Sequence, residues 1–100
     1  MSVLVVVKVT GDTATFQQAL NDRADEFESL ATKAKAAGAI HHRFGIGDGV
    51  VLVVDEWETA DGFQQFFGDP AMQEFVSSIG AAPGPPEITI AEAISSPDEF

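Results

Sequence analysis

His41 and His42 stand side by side in the stretch Gly38-Ala39-Ile40-His41-His42-Arg43-Phe44, and the chain has no other histidine. Two imidazoles could hold a metal ion, or one of them could move a proton. The stretch reads as a strand, in which adjacent residues point to opposite faces. Both rings therefore cannot bind one ion within a single chain. With no cysteine and neither H-x-H nor H-x3-H spacing, no metal site is expected. Acid–base chemistry needs only one imidazole and a group that orients it.

Asp55 is the orienting group that the spacing offers. Ala39 to Ile46 and Val50 to Trp57 read as two strands joined around Gly47-Asp48-Gly49, a hairpin signal. A two-residue turn at Asp48-Gly49 sets Phe44 opposite Val53, His42 opposite Asp55 and Ile40 opposite Trp57. A turn at Gly47-Asp48 keeps the same faces, whereas a three-residue loop puts His41 opposite Asp55 instead. The two-residue turn is preferred because it groups Ile40, His42, Phe44, Val51, Val53, Asp55 and Trp57 on one surface. That surface is apolar apart from one His–Asp pair, the composition of a ligand pocket. His42 would then be a base whose tautomer Asp55 holds; the plainer reading is a polar pair that satisfies itself across two strands. Other chemistries find little support. The chain has no tyrosine, no thiol and no G-x-S-x-G motif, and Ser77-Ser78 lacks a nearby base. The glycines of Gly45-x-Gly47-x-Gly49 sit in a hairpin rather than at a strand-to-helix junction, which argues against phosphate binding.

The elements that carry these residues are legible from periodicity. Val3 to Val9 is a β-branched run ended by Thr10-Gly11-Asp12. Asp12 or Thr13 can cap a helix whose stripe is Phe16, Leu20, Ala24, Phe27, Ala31 and Ala34, with Gly38 just past its end. This spacing predicts one helix of about 25 residues, roughly 37 Å long. Thr59 can cap a short helix with Phe63, Phe66 and Phe67, and Asp69-Pro70 opens a second with Met72, Phe75, Val76 and Ile79. Ile88 to Ile94 alternates as a last strand. The order β-α-β-β-α-β predicts an α+β, ferredoxin-like fold with a four-stranded antiparallel sheet and its helices on one face. Residues 1–95 would form this one domain and 96–100 a polar tail. The break at Gly68-Asp69-Pro70 leaves a gap in which a flat apolar ligand could sit, walled by Trp57, Ile40, Phe44, Phe63, Phe67 and Phe75. The alternative is a pocket filled by those phenylalanines.

One hundred residues with 45% hydrophobic content suffice for a core without staples. The first strand is apolar on both faces, and so is Val50 to Val54, so the uncovered sheet face predicts a homodimer packed through its sheets. All five Lys and Arg lie in residues 1–50, while residues 51–100 carry ten acidic residues and no Lys or Arg. A net charge of −11 argues against nucleic-acid and anionic-membrane partners. The N-terminus carries no signal-peptide pattern and no spanning run, so a soluble, unsecreted, cytoplasmic protein is expected.

The segment Val53-Val54-Asp55-Glu56-Trp57-Glu58-Thr59-Ala60-Asp61-Gly62-Phe63-Gln64-Gln65-Phe66 resembles the W-E-[ST]-x-x-x-F-Q-x-[FW] motif of the antibiotic-biosynthesis-monooxygenase-like family. That resemblance implies a dimeric α/β barrel and chemistry without a cofactor: oxygenation or proton transfer on a hydrophobic, aromatic molecule. A non-catalytic ligand-binding or structural dimer is the alternative. The haem-degrading branch of the family ranks lowest. The position of its iron-ligating histidine matches Phe75, and that of its first-strand asparagine matches Val7. Haem or metal binding would have to go through His41 or His42.

Overall fold

Asp48 and Gly49 form a two-residue turn, with Gly47 paired to Val50 across it. Gly49 has φ 67, a conformation that costs other residues and not glycine. In the computed structural model, which describes residues 1–100, this turn joins two strands of a four-stranded sheet. The elements are β1 Val3–Thr10, α1 Thr13–Asp22, α2 Ala24–Ala36, β2 Ala39–Gly47, β3 Val50–Trp57, α3 Ala60–Phe67, α4 Pro70–Ser78 and β4 Glu87–Glu92. The sheet order is β2-β3-β1-β4 and every pair is antiparallel. This is the α+β ferredoxin-like arrangement that the sequence predicts. The last strand begins and ends earlier than its alternation implies, at Glu87 and Glu92 rather than Ile88 and Ile94.

The helix caps are those the residue types favour. The Asp12 carboxylate accepts from the backbone N–H groups of Ala14 and Thr15 at 3.0 and 3.2 Å, and from the Thr15 hydroxyl at 2.9 Å. Thr59 caps α3 through the N–H of Gly62, and Asp69 caps α4 through that of Ala71, with Pro70 in the first turn. Gly38 follows α2 with φ 113, as expected for a residue just beyond a helix end.

The single 25-residue helix expected from the stripe is not formed. Arg23, at φ −122 and ψ 32, divides it into α1 and α2. The residues before the break, Asn21 and Asp22, are weak helix formers whose side chains compete for backbone groups. Those after it restart a helix, with Asp25 and Glu26 in the first turn of α2 and Lys33 and Lys35 in the last, each suited to the helix dipole. Arg23 itself spans the gap to α4. Its guanidinium lies 4.7 Å from the centre of the Phe75 ring, donates to the Ser78 hydroxyl at 2.7 Å, and is paired with Glu26.

The helices cover one face of the sheet. Val5, Val7, Trp57 and Phe63 form one buried cluster, and Phe16, Ala19, Val51 and Ile79 another. The other face is uncovered. Leu4, Val6, Leu52 and Val54 adjoin there in the β1–β3 register, and Leu4 and Val54 are each 48% exposed. The accessible surface, 6651 Å², exceeds by about a fifth the roughly 5,500 Å² typical of a monomer of this mass.

Candidate functional site

The turn at Asp48-Gly49 sets the parity of the hairpin and with it the site. Phe44 pairs with Val53 and His42 with Asp55, and all four share the helix-covered face. His41 pairs with Glu56 and belongs to the uncovered face. Ile40 does not stand opposite Trp57. A bulge between Ala39 and His41 puts Ala39 there instead, and Ile40, 44% exposed, is left at the rim. The bulge lies where β2 leaves α2, and Glu58 N–H donates to the Gly38 carbonyl at 2.8 Å across that junction.

His42 Nδ1 and Asp55 Oδ1 are 2.7 Å apart. The other carboxylate oxygen, Oδ2, accepts from the Trp57 indole N–H at 3.0 Å. Asp55 is the one buried charged residue of the chain, and its two hydrogen bonds account for its burial. The His42 side chain is 44% exposed, and its Nε2 has no protein partner. A carboxylate only accepts, so of the two tautomers of a neutral imidazole it selects the one with the proton on Nδ1. Nε2 then carries the free lone pair.

Around this polar group the sheet and helices enclose a cavity of about 480 Å³. Its lining is largely aromatic. Phe16 stands 5.0 Å and Phe27 6.0 Å from Phe44 between ring centres, Phe27 lies 5.1 Å from Phe75, and all these pairs are edge-to-face. The His42 ring meets Phe44 edge-on at 4.6 Å. Trp57, Phe63, Phe66 and Phe67 close one end, with Phe63 and Phe67 stacked at 5.4 Å. The phenylalanines therefore surround space rather than fill it. At the opening lie Glu28, Lys35 and Ile40, all exposed.

Thus His42, Asp55, Trp57, Phe44, Phe63, Phe67 and Phe75 line one cavity, and Ile40 reaches it only at the rim. Two participants escape a reading of the hairpin and the split helix alone. Phe16 and Phe27 lie on either side of the break at Arg23 and still meet edge-to-face at 6.2 Å, as their shared place in the apolar stripe foreshadows. The Trp57–Asp55 hydrogen bond is foreshadowed by the D-x-W spacing, because residues two apart on a strand share a face. No three His, Asp or Glu side chains converge in a way that could hold a metal ion, and no helix is long and apolar enough to cross a membrane.

No family model matches the chain, and no curated protein matches it in sequence. Solved structures match it in shape along nearly its whole length. SnoaB, a cofactor-independent oxygenase from Streptomyces nogalater, superposes with a TM-score of 0.66 at 16% identity, over 98% of each chain. A monooxygenase from the ActVA-Orf6 gene of Streptomyces coelicolor, in complex with nanaomycin D, gives 0.67 at 19% identity, over 95% of this chain and 89% of that one. The chain shares its fold with these two oxygenases. A dimeric ferredoxin-like protein from an uncultured marine organism is similar too, with a TM-score of 0.64 at 15% identity, over 99% and 93% of the two chains. Trp57 lies at the end of β3 and the segment Asp61 to Phe66 on α3, and these are the elements that close the cavity beside Asp55.

Proposed function

We propose that this chain binds a hydrophobic, aromatic small molecule in the cavity between sheet and split helix, and that His42 acts there as a base. The observation that carries the reading is the 2.7 Å His42–Asp55 pair on the floor of an aromatic cavity. A cavity of about 480 Å³ is within the range of small-molecule sites, and edge-to-face rings offer flat apolar partners. Nε2, unpartnered in the protein, takes a proton from an acidic C–H or O–H of the ligand. The resulting anion, delocalised onto carbon, either takes the proton back from Nε2 at another carbon or adds dioxygen, and in the second case the proton on Nε2 passes to the peroxide. Neither route needs a cofactor. Oxygenation is favoured by the likeness to two oxygenases, and the substrate would be a flat, weakly acidic aromatic.

The working unit proposed is a homodimer through the uncovered sheet faces. The excess surface and the contiguous Leu4, Val6, Leu52 and Val54 patch support it, since exposed apolar faces of this kind mark interaction sites.

The test uses the chain's one tryptophan, which lines the cavity. Nanaomycin D and a panel of hydroxylated aromatic ketones are titrated against Trp57 fluorescence, and oxygen uptake is followed with each. Saturable quenching, with uptake that is lost in His42→Ala, is expected. Absence of quenching across the panel would rule out the cavity as the ligand site, and unchanged uptake in His42→Ala would rule out the base.

A further inference from the structure

Asp55 has two oxygens and both are engaged, but by partners of very different freedom. On Oδ1 is His42, a half-exposed ring on an edge strand. On Oδ2 is the Trp57 indole, 1% exposed and therefore fixed. Phe63 meets the indole edge-to-face at 5.6 Å and Phe66 lies tilted against it at 5.5 Å, so α3 holds the ring in place. Asp55 and Trp57 are two residues apart on β3, and the strand itself sets their separation.

An indole N–H can only donate, and a carboxylate can only accept. Once Trp57 holds Oδ2, rotation of the carboxylate about its own bond is stopped and Oδ1 is left facing His42. Without that hold, the carboxylate could turn and the imidazole, exposed on one side, could turn with it. A free neutral imidazole has two tautomers, and only the form protonated on Nδ1 offers its lone pair at Nε2.

We propose that Trp57 is the positioning residue of the His42 base: its indole N–H fixes the Asp55 carboxylate, and through it the tautomer and ring orientation of His42. The inference rests on reading His42 as a base, and it gives Trp57 a task beyond walling the cavity. It also ties the base to α3, because Phe63 and Phe66 set the indole that sets the carboxylate.

The test is nitrogen-15 spectroscopy of the two histidines above the pH at which they are protonated. In the unaltered chain His42 is expected almost wholly as the Nδ1–H tautomer. His41, on the other face and without a side-chain hydrogen bond, serves as the internal reference. Trp57→Phe keeps a ring and removes the donor, and His42 should then show a several-fold rise in the Nε2–H form while His41 is unchanged. An unchanged His42 tautomer in folded Trp57→Phe overturns the proposal. Should that variant not fold, the single indole N–H signal of the unaltered chain decides. It is expected to be slow to exchange, to move in His42→Gln, and to lose its protection in Asp55→Ala. An indole signal indifferent to both substitutions overturns the proposal equally. The base reading is scored separately, by oxygen uptake or ligand turnover in His42→Gln. A tautomer that depends on Trp57 together with unaltered turnover in His42→Gln would sink the base and leave the positioning intact.

Discussion

Arg23 and Phe75, 52 positions apart in sequence, meet with the guanidinium 4.7 Å from the ring centre. The contact closes the break between α1 and α2 against α4, and Phe75 lies beneath it in edge contact with Phe27. Arg23 also reaches the Ser78 hydroxyl and Glu26, so a single side chain ties the two halves of the cavity roof together. Arg23→Ala should lower the urea midpoint slightly and loosen the roof. Amide exchange in α4 should rise with little change in β1 or β3. Arg23→Lys, which keeps the charge but not the planar fork, should recover only part of the protection.

Removing Asp55 tests more than removing His42. Asp55→Ala leaves the buried Trp57 N–H without an acceptor, which costs about 1–3 kcal/mol, in addition to releasing the imidazole. His42→Ala removes a half-exposed ring, so its stability cost should be much smaller. Both should reduce proton-transfer or oxygenation turnover by about 10² to 10⁴-fold. Calorimetry alongside turnover separates the two. Equal destabilisation by both variants would contradict the arrangement around Asp55.

The apolar patch on the uncovered face should hold two chains together. Sedimentation at micromolar concentration is expected to give twice the chain mass of 10.6 kDa. Val54→Lys places a charge at the centre of the patch on a residue already half exposed, so the fold should survive and the mass should fall to that of one chain. A monomer without substitution would remove the proposed interface.

Filling the cavity should separate binding from folding. Ala31 on α2 lines the cavity and is half buried. Ala31→Phe puts a ring into open space rather than into packed core, so stability should be kept within about 1 kcal/mol, whereas overpacking a dense core costs about 1–3 kcal/mol. Ligand affinity by Trp57 quenching should drop at least tenfold. A large loss of stability instead would mean that the space beside Ala31 is not free in solution.

How far the sequence reaches can be judged from particular residues. Placing His42 opposite Asp55 depends on preferring a two-residue turn to a three-residue loop; once the turn is Asp48-Gly49, strand alternation carries parity outward until a bulge intervenes. It intervenes between Ala39 and His41, and Ile40 is misplaced for that reason. The bulge depends on how β2 leaves α2, a tertiary junction that no periodicity records. The break at Arg23 was hidden because the apolar stripe runs on in phase through it, and only the pair Asn21-Asp22 followed by Asp25-Glu26 marks an end and a new start. The Asp55–Trp57 bond lay in plain view as a two-residue spacing, but it acquires meaning only once both groups are buried together.

Asp12 gives the fold a dependence on acid. Its carboxyl is held below its ordinary value of 3.8 chiefly by the Thr15 hydroxyl, then by the backbone N–H groups of Thr15 and Ala14. A group whose carboxylate form is favoured by folding contributes stability that is fully present above its unfolded value and lost as pH falls through the folded one. The cap of α1 should therefore weaken only below about pH 3.8, when the carboxyl takes up a proton and stops accepting. Glu26 behaves in the same direction through its bond to Arg23, so the restart of α2 weakens in the same acid range. Asp12→Asn keeps an acceptor oxygen at the cap but cannot titrate, and asparagine caps helices about as well as aspartate. At pH 7 its thermal midpoint should be close to that of the unaltered chain. Below pH 3.8 its curve should fall less steeply, so the two, matched at pH 7, should separate until the carboxyl is fully protonated. Melting curves at half-unit steps from pH 6 to pH 2.5 make the comparison, and parallel curves throughout would mean that the Asp12 cap contributes nothing to the acid limb.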